Sequence, residues 1–427
     1  VRVMLMSFPT RTHIYSLAPV GWALRAAGHE VRYVGQRNPS EVDPFLQTGL
    51  DAMWTGGDFD IAKHRHYAEP GDGTEENYFP LSEARPEKLT DAFVSEAYET
   101  TTAMIQYLNR DRLLSETLRF AKQWKPDLIV WDPLMYAAPM IAKVVGAAHM
   151  RMLYAQDQNA RVHFEYEKLK ARRPDISWPD PLADWMSEWL GRHGCEFDED
   201  LRFGMASIDP SLACVRFPLD VNYIPVRFVP VNKPLAVPDW VFQRPEKPRV
   251  LLTLGVSNRQ VHGVEQASVT DLLEGLGDLD IEVIATFDKT QLSSVARIPD
   301  NVRAEAFVPM NEVLASCSAI VHQGGGATIG NAVVNGVPQL LVPGTIWSER
   351  ASAVAQEKRG YGLFLDLEDA TAERVRACVV RLLEEPSFRQ NAVEVQREML
   401  ATPTLADIVP DLEAAAAGRR QAVAAGV

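Results

Sequence analysis

The string Val321-His322-Gln323-Gly324-Gly325-Gly326-Ala327-Thr328 is the sharpest chemical signal in the chain. It follows an apolar run, Ala319–His322, that reads as a strand, and it opens a helical pattern over Thr328–Asn335. Consecutive glycines let a backbone approach an anion closely, and a helix N-terminus offers unpaired amides with a partial positive charge. Thr328 adds a hydroxyl, and His322 is expected to donate to a phosphate oxygen. An ordinary glycine-rich turn fits the same string, so residue type alone leaves both readings open.

The second signal is His13, in Pro9-Thr10-Arg11-Thr12-His13-Ile14, just past the apolar run Val3–Met6. Asp132 occupies the same kind of place, directly after Leu128–Trp131. If the two strand ends converge, the carboxylate holds one imidazole nitrogen and leaves the other to accept a hydroxyl proton. The rival readings are a structural histidine and, for Asp132, a helix N-cap ahead of Pro133.

Positioning these residues needs strands whose carboxyl ends meet. The pattern predicts strands at Val3–Met6, Glu30–Val34 and Leu128–Trp131, with helices at Leu17–Ala27, stopped by Gly28, and Tyr136–Val145. A second series runs Arg249–Leu254, Ile281–Thr286, Val302–Val308, Ala319–His322 and Gln339–Val342. Prolines crowd the stretch between, from Pro225 to Pro248. The expected architecture is α/β, with two doubly wound domains facing a central cleft. The expected boundaries are 1–225, a linker at 226–248, 249–403, and a terminal helical segment at 404–427 crossing back to the first domain. Residues 56–120 are less regular and carry an acidic, aromatic-dotted loop, Glu69 to Tyr78. Trp185 and Trp189 lie four apart on one helix face, suited to a partner surface or to core.

Composition narrows the class. The chain has 427 residues, 46% apolar and 23% charged, the balance of a folded protein of two domains. A net charge of −14 argues against nucleic acid or anionic lipid as a bulk partner. Cys195, Cys214, Cys317 and Cys378 form no CxxC pair, so reduced thiols and no zinc site are expected. No apolar run is long enough to span a membrane, and the short apolar start lacks a signal-peptide cleavage site. A cytoplasmic protein is expected.

With these residues in view, the chain resembles the GT-B glycosyltransferases of antibiotic biosynthesis, most of all the actinomycete macrolide deoxysugar and aminosugar transferases. The resemblance spans nearly the whole chain. It rests on Ser7–His13, Pro19–Arg32, Trp124–Asp132, Asp180–Trp185, Arg249–Gly255, Ile284–Asp288, Ile298–Arg303, Phe307–Met310, His322–Thr328 and Gly336–Gln339. It implies an inverting transfer of a deoxysugar or aminodeoxysugar from a dTDP- or UDP-type donor to a hydroxyl of a hydrophobic aglycone, with no metal or other cofactor. It also implies roles. His13 would be the base and Asp132 its orienting carboxylate. His322, Gly324, Gly325, Gly326 and Thr328 would hold the diphosphate, with Ser257 approaching from the opposite side. Val308 would meet the nucleobase through its backbone. Several macrolide transferases need a cytochrome-like auxiliary protein, so such a partner is expected at segment 158–200, and a homodimer is left open.

The sequence departs from the family pattern in three places. Gln323 replaces a second histidine of the phosphate loop, and Gly326 and Ala327 stand in swapped order. Ser348 and Glu349 occupy the place of the pair that bonds the donor sugar. Glu349 suits either an amino substituent on the sugar or a helix start ahead of Arg350–Lys358. The competing functions are a nucleotide-sugar epimerase of the same fold and a non-catalytic helper protein. Retention of both His13 and the glycine loop argues against the helper protein, and the aromatic, loop-rich region 56–120 argues for an acceptor and against the epimerase.

Overall fold

The alternation of strand residues decides how each sheet is covered. Val3 and Leu5 pack into one apolar cluster, Met4 and Met6 into another, because successive side chains of a strand point to opposite faces. Both faces of the sheet are therefore buried, as a parallel sheet requires. The second half repeats this: Val250 and Leu252 face one cluster and Leu251 the other. The computed structural model describes residues 1–41, 43–60, 83, 85–255, 266–344 and 347–424. The loop Glu69–Tyr78 and Ser257 lie outside these described residues.

The first sheet contains β1 (Arg2–Met6), β2 (Glu30–Arg37), β3 (Asp51–Asp58), β4 (Leu128–Trp131), β5 (Ala148–Met152), β6 (Ser207–Asp209) and β7 (Tyr223–Pro225). Its order is β3-β2-β1-β4-β5-β6-β7. The second contains β8 (Arg249–Thr253), β9 (Glu282–Ala285), β10 (Val302–Ala304), β11 (Ala319–His322), β12 (Gln339–Leu341) and β13 (Gly362–Phe364), in the order β10-β9-β8-β11-β12-β13. Every pairing is parallel. Both sheets share the doubly wound order, with its reversal beside the first strand. The two Rossmann-like domains expected from the sequence are present.

Several predicted bounds differ. The strand predicted to Val308 stops at Ala304, and the helix predicted from Thr328 starts at Gly326. Strand β7 already lies at the edge of the first sheet, and Phe228, just beyond it, packs its ring over Gly330. The terminal helix Val409–Ala424 lies on the first domain. Leu405, Ile408, Val409, Leu412 and Ala416 join the cluster of Val3 and Leu5, while Arg420 pairs with Asp127 at 2.8 Å. Trp189 is buried in the first-domain core and Trp185 packs partly against it, so this tryptophan pair is core. Among the described residues no helix is long and apolar enough to cross a membrane.

Candidate active site

Neighbouring parallel strands deliver the first pair. β1 lies beside β4 with Met6 opposite Trp131, so the segments that follow leave the sheet side by side. Asp132 extends the ladder by donating its amide to the Met6 carbonyl at 2.9 Å. His13 sits in the first turn of the helix Arg11–Ala26. Its Nδ1 lies 2.5 Å from Asp132 Oδ2. Asp132 is fully buried, and its other oxygen accepts the Leu134 amide at 2.8 Å. Asp132 caps no helix, since the next helix begins only at Ala137; one oxygen instead closes a turn at Leu134 and the other meets His13. A carboxylate oxygen only accepts, so Nδ1 carries a proton, and in the neutral ring Nε2 is the acceptor. Nε2 has no hydrogen-bond partner among the described residues. The ring is flanked by Phe8, edge-on at 5.3 Å, and Tyr154 at 4.3 Å.

The glycine-loop residues follow β11, one of the two central strands of the second sheet. Gly324 adopts φ +94°, a conformation that favours glycine. Gly325 caps the helix Gly326–Val334, and no side chain caps that end, so the first-turn amides remain open to a ligand. Gly326 is required for a different reason. A Cβ there would collide with the Tyr154 carbonyl oxygen and sit 2.9 Å from Ala155 Cβ. The glycine therefore sets the approach of the second domain to the end of β5. Ser352 strengthens this seam by donating to Gln156 Oε1 at 2.9 Å, while Gln156 also donates to the Val215 carbonyl. Thr328 is buried in the first helical turn.

His322 departs from the expected phosphate donor. Its ring is fully buried and both nitrogens are engaged within the domain. Nδ1 accepts the Gly324 amide at 3.0 Å, and Nε2 meets Gln339 Oε1 at 2.9 Å. Because the Gly324 amide must donate, Nε2 carries the proton. Burial pushes the imidazole pKa down to about 4, so the ring is neutral at ordinary pH. In this arrangement His322 shapes the loop from below; it has no proton left for a ligand.

Ser348 is buried at the start of the helix Glu349–Arg359 without a side-chain capping bond. Glu349 is also buried, and its Oε2 accepts the Trp347 amide at 3.0 Å. A Cβ on Gly324 would lie 3.1 Å from Glu349 Cβ, so the glutamate stem packs against the glycine loop. Burial raises the Glu349 pKa to about 7. Val308 is buried. The structure thus brings His13 to Asp132, and Gly324 to Glu349. It leaves Val308 on the other side of β8, after β10 and ahead of the helix Met310–Leu314.

Sequence reasoning missed Tyr154, Gln339 and Trp347. Tyr154 follows β5 at its carboxyl end, the position that flagged His13 and Asp132, and that position was the available signal. Gln339 is read from the sequence as part of a strand and of the matched segment Gly336–Gln339, with no role in the site. Among the described residues no group of three or more His, Cys, Asp or Glu side chains is placed to hold a metal ion.

Two doubly wound sheets, with a His–Asp pair at the end of one and an uncapped glycine-led helix at the end of the other, match the architecture of GT-B glycosyltransferases. The glycosyltransferase VinC, solved in complex with dTDP, superposes with TM-score 0.84 at 36% identity, over 97% of this chain and 99% of that one. The spinosyn forosaminyltransferase SpnP gives TM-score 0.80 at 38% identity over 97% and 99%. The erythromycin biosynthesis protein CIII-like N-terminal domain matches residues 22–255 and the corresponding C-terminal domain matches residues 270–415. The chain belongs to this family of glycosyltransferases. Its relatives include the aclacinomycin-T 2-deoxy-L-fucose transferase of Streptomyces galilaeus, 39% identical over 99% of this chain and 97% of the relative. The 10-deoxymethynolide desosaminyltransferase of Streptomyces venezuelae is also 39% identical, over 99% and 98%.

Proposed function

We propose that the protein transfers a deoxysugar from a dTDP-type donor to a hydroxyl of a polyketide or macrolide aglycone, with inversion at the anomeric carbon. The observation that carries this reading is the His13–Asp132 pair at 2.5 Å with Nε2 left as an acceptor. Asp132 holds the tautomer and balances the charge that forms when Nε2 takes the acceptor proton. As the glycosidic bond to the nucleotide breaks, negative charge grows on the leaving diphosphate. Fixed amides of Gly326, Ala327 and Thr328 stabilise it without reorganising. Acceptor attack from the His13 side and departure toward the helix N-terminus give one displacement. The Val308 peptide is read as the contact for the nucleobase edge. Ser348 and Glu349 stand at the sugar end of the site. One oxygen of Glu349 accepts the Trp347 amide and its stem packs against Gly324, so we read the side chain as support for the loop.

The test incubates the protein with dTDP-deoxysugars and a panel containing 10-deoxymethynolide, tylactone and aklavinone. The expected result is an aglycone heavier by one deoxysugar, stoichiometric TDP, and an inverted anomeric configuration by NMR. Conversion of the nucleotide sugar to an epimer with no glycosylated product would contradict the proposal.

A further inference from the structure

Trp347 belongs to the second domain by chain position, yet its ring packs into the first. It joins a cluster made of Phe59, Leu108 and Leu134, with Phe8, Met104 and Tyr107 around them. Phe8 is the ring that lies edge-on to His13, and Phe59 stands 5.8 Å from Phe8 and 6.3 Å from Tyr107. This is an aromatic wall beside the base, on the face where a hydrophobic acceptor must present its hydroxyl. The other end of Trp347 is tied to the donor side. Its amide donates to Glu349, whose stem packs against Gly324 of the glycine loop.

A single residue therefore contributes its ring to one substrate's wall and its backbone to the support of the other substrate's loop. We propose that Trp347 is a positioning and specificity-determining residue shared by both substrates, coupling occupancy of the diphosphate loop to order in the acceptor wall. The proposal rests on the transferase reading above. The physical basis is short and contiguous. A ligand that fixes Gly324 restricts Glu349, Glu349 restricts the Trp347 backbone, and the indole then has fewer orientations against Phe59 and Leu134. Ligand binding to one state of a two-state element biases whatever else contacts that element. A second route crosses the domains at Gly326 against Tyr154 and Ala155, and it does not pass through Trp347. That independence gives the experiment its internal control.

The test is amide hydrogen exchange with and without TDP on wild type, Trp347→Ala and Trp347→Phe, with TDP affinity measured by calorimetry. In wild type, TDP is expected to slow exchange about threefold or more in residues 104–110 and in 153–157. Trp347→Ala is expected to bind TDP within about threefold of wild type and to keep protection at 153–157 but lose it at 104–110. Trp347→Phe keeps an aromatic ring in the wall and is expected to retain most of the protection, which separates lost coupling from a damaged fold. Full protection at 104–110 in Trp347→Ala, or none there in wild type despite TDP binding, overturns the proposal. Failure of wild type to bind TDP at all overturns the transferase reading instead.

Discussion

His13 and His322 both stand at the carboxyl end of a sheet, one in each domain, and they are fitted for opposite work. His13 faces a buried carboxylate through Nδ1 and keeps Nε2 unpartnered among the described residues. His322 faces a neutral amide through Nε2 and a backbone N–H through Nδ1. A carboxylate partner stabilises the imidazolium that forms when a base takes a proton. A carboxamide and an amide give no such help, and full burial opposes the charge. The same side chain is therefore a proton acceptor in one domain and a fixed neutral strut in the other. Partners on neighbouring strands decide which.

The largest effect that would break this contrast is at the base. His13→Ala is expected to lower kcat by about 10²–10⁴-fold with TDP affinity unchanged. Steady-state kinetics and calorimetry check it, and near-normal turnover removes His13 from the mechanism. Gly326→Ala comes next. A Cβ there meets the Tyr154 carbonyl, so the domains cannot close as they do and TDP affinity is expected to fall about tenfold or more. Gly325→Ala meets only the flexible end of Gln323, at 3.0 Å, and is expected to cost much less. Equal losses would show that backbone crowding at the seam is unimportant.

His322→Gln tests the strut. It removes two buried hydrogen bonds, so a loss of stability of about 1–3 kcal/mol is expected in denaturant melts. TDP affinity is expected to fall only as far as Gly324 shifts. A smaller signature lies in acid. His149, His163 and His322 are all pushed down to about 4 by burial, from an ordinary 6.5. Between those values the unfolded chain binds protons that the folded chain does not. The contribution of these three histidines to stability is full above pH 6.5 and is expected to be lost as pH falls toward 4. Melting temperatures across that window check it, and His322→Gln is expected to flatten part of the slope. The smallest effect is at Glu349. With its carboxylate on the Trp347 amide, Glu349→Gln is expected to change activity alike for amino and neutral deoxysugar donors. Selective loss with aminosugar donors would restore Glu349 as a sugar contact.

Much of this site was legible from strand ends alone. Leu128–Trp131 and Val3–Met6 are unbroken apolar runs, so their position in the sequence is enough to put Asp132 and His13 at the cleft. The glycine string announced the loop for the same reason. β5 stayed hidden because Ala148–Met152 contains His149 and Arg151. Arg151 is buried and paired through Nε and Nη2 with Asp157 and Ser207, partners that come from outside the strand. A polar residue in a central strand erases the apolar signal, and Tyr154 was lost with it. β3 was missed because half its residues face solvent and two are glycine. The engagement of His322 inside its own domain stayed hidden for another reason. Its engagement depends on Gln339, which is brought alongside only by the pairing of β11 with β12. Residue type fixed where a histidine would sit, and the pairing of strands fixed what it could do there.

The contrast between the two histidines is open to direct measurement by 15N NMR of histidine-labelled protein, with His13→Ala and His322→Gln assigning the signals. The account predicts His13 in the Nδ1–H tautomer and His322 in the Nε2–H tautomer, with His322 remaining neutral from pH 8 down to pH 5. A shared tautomer, or protonation of His322 within that range, would contradict it.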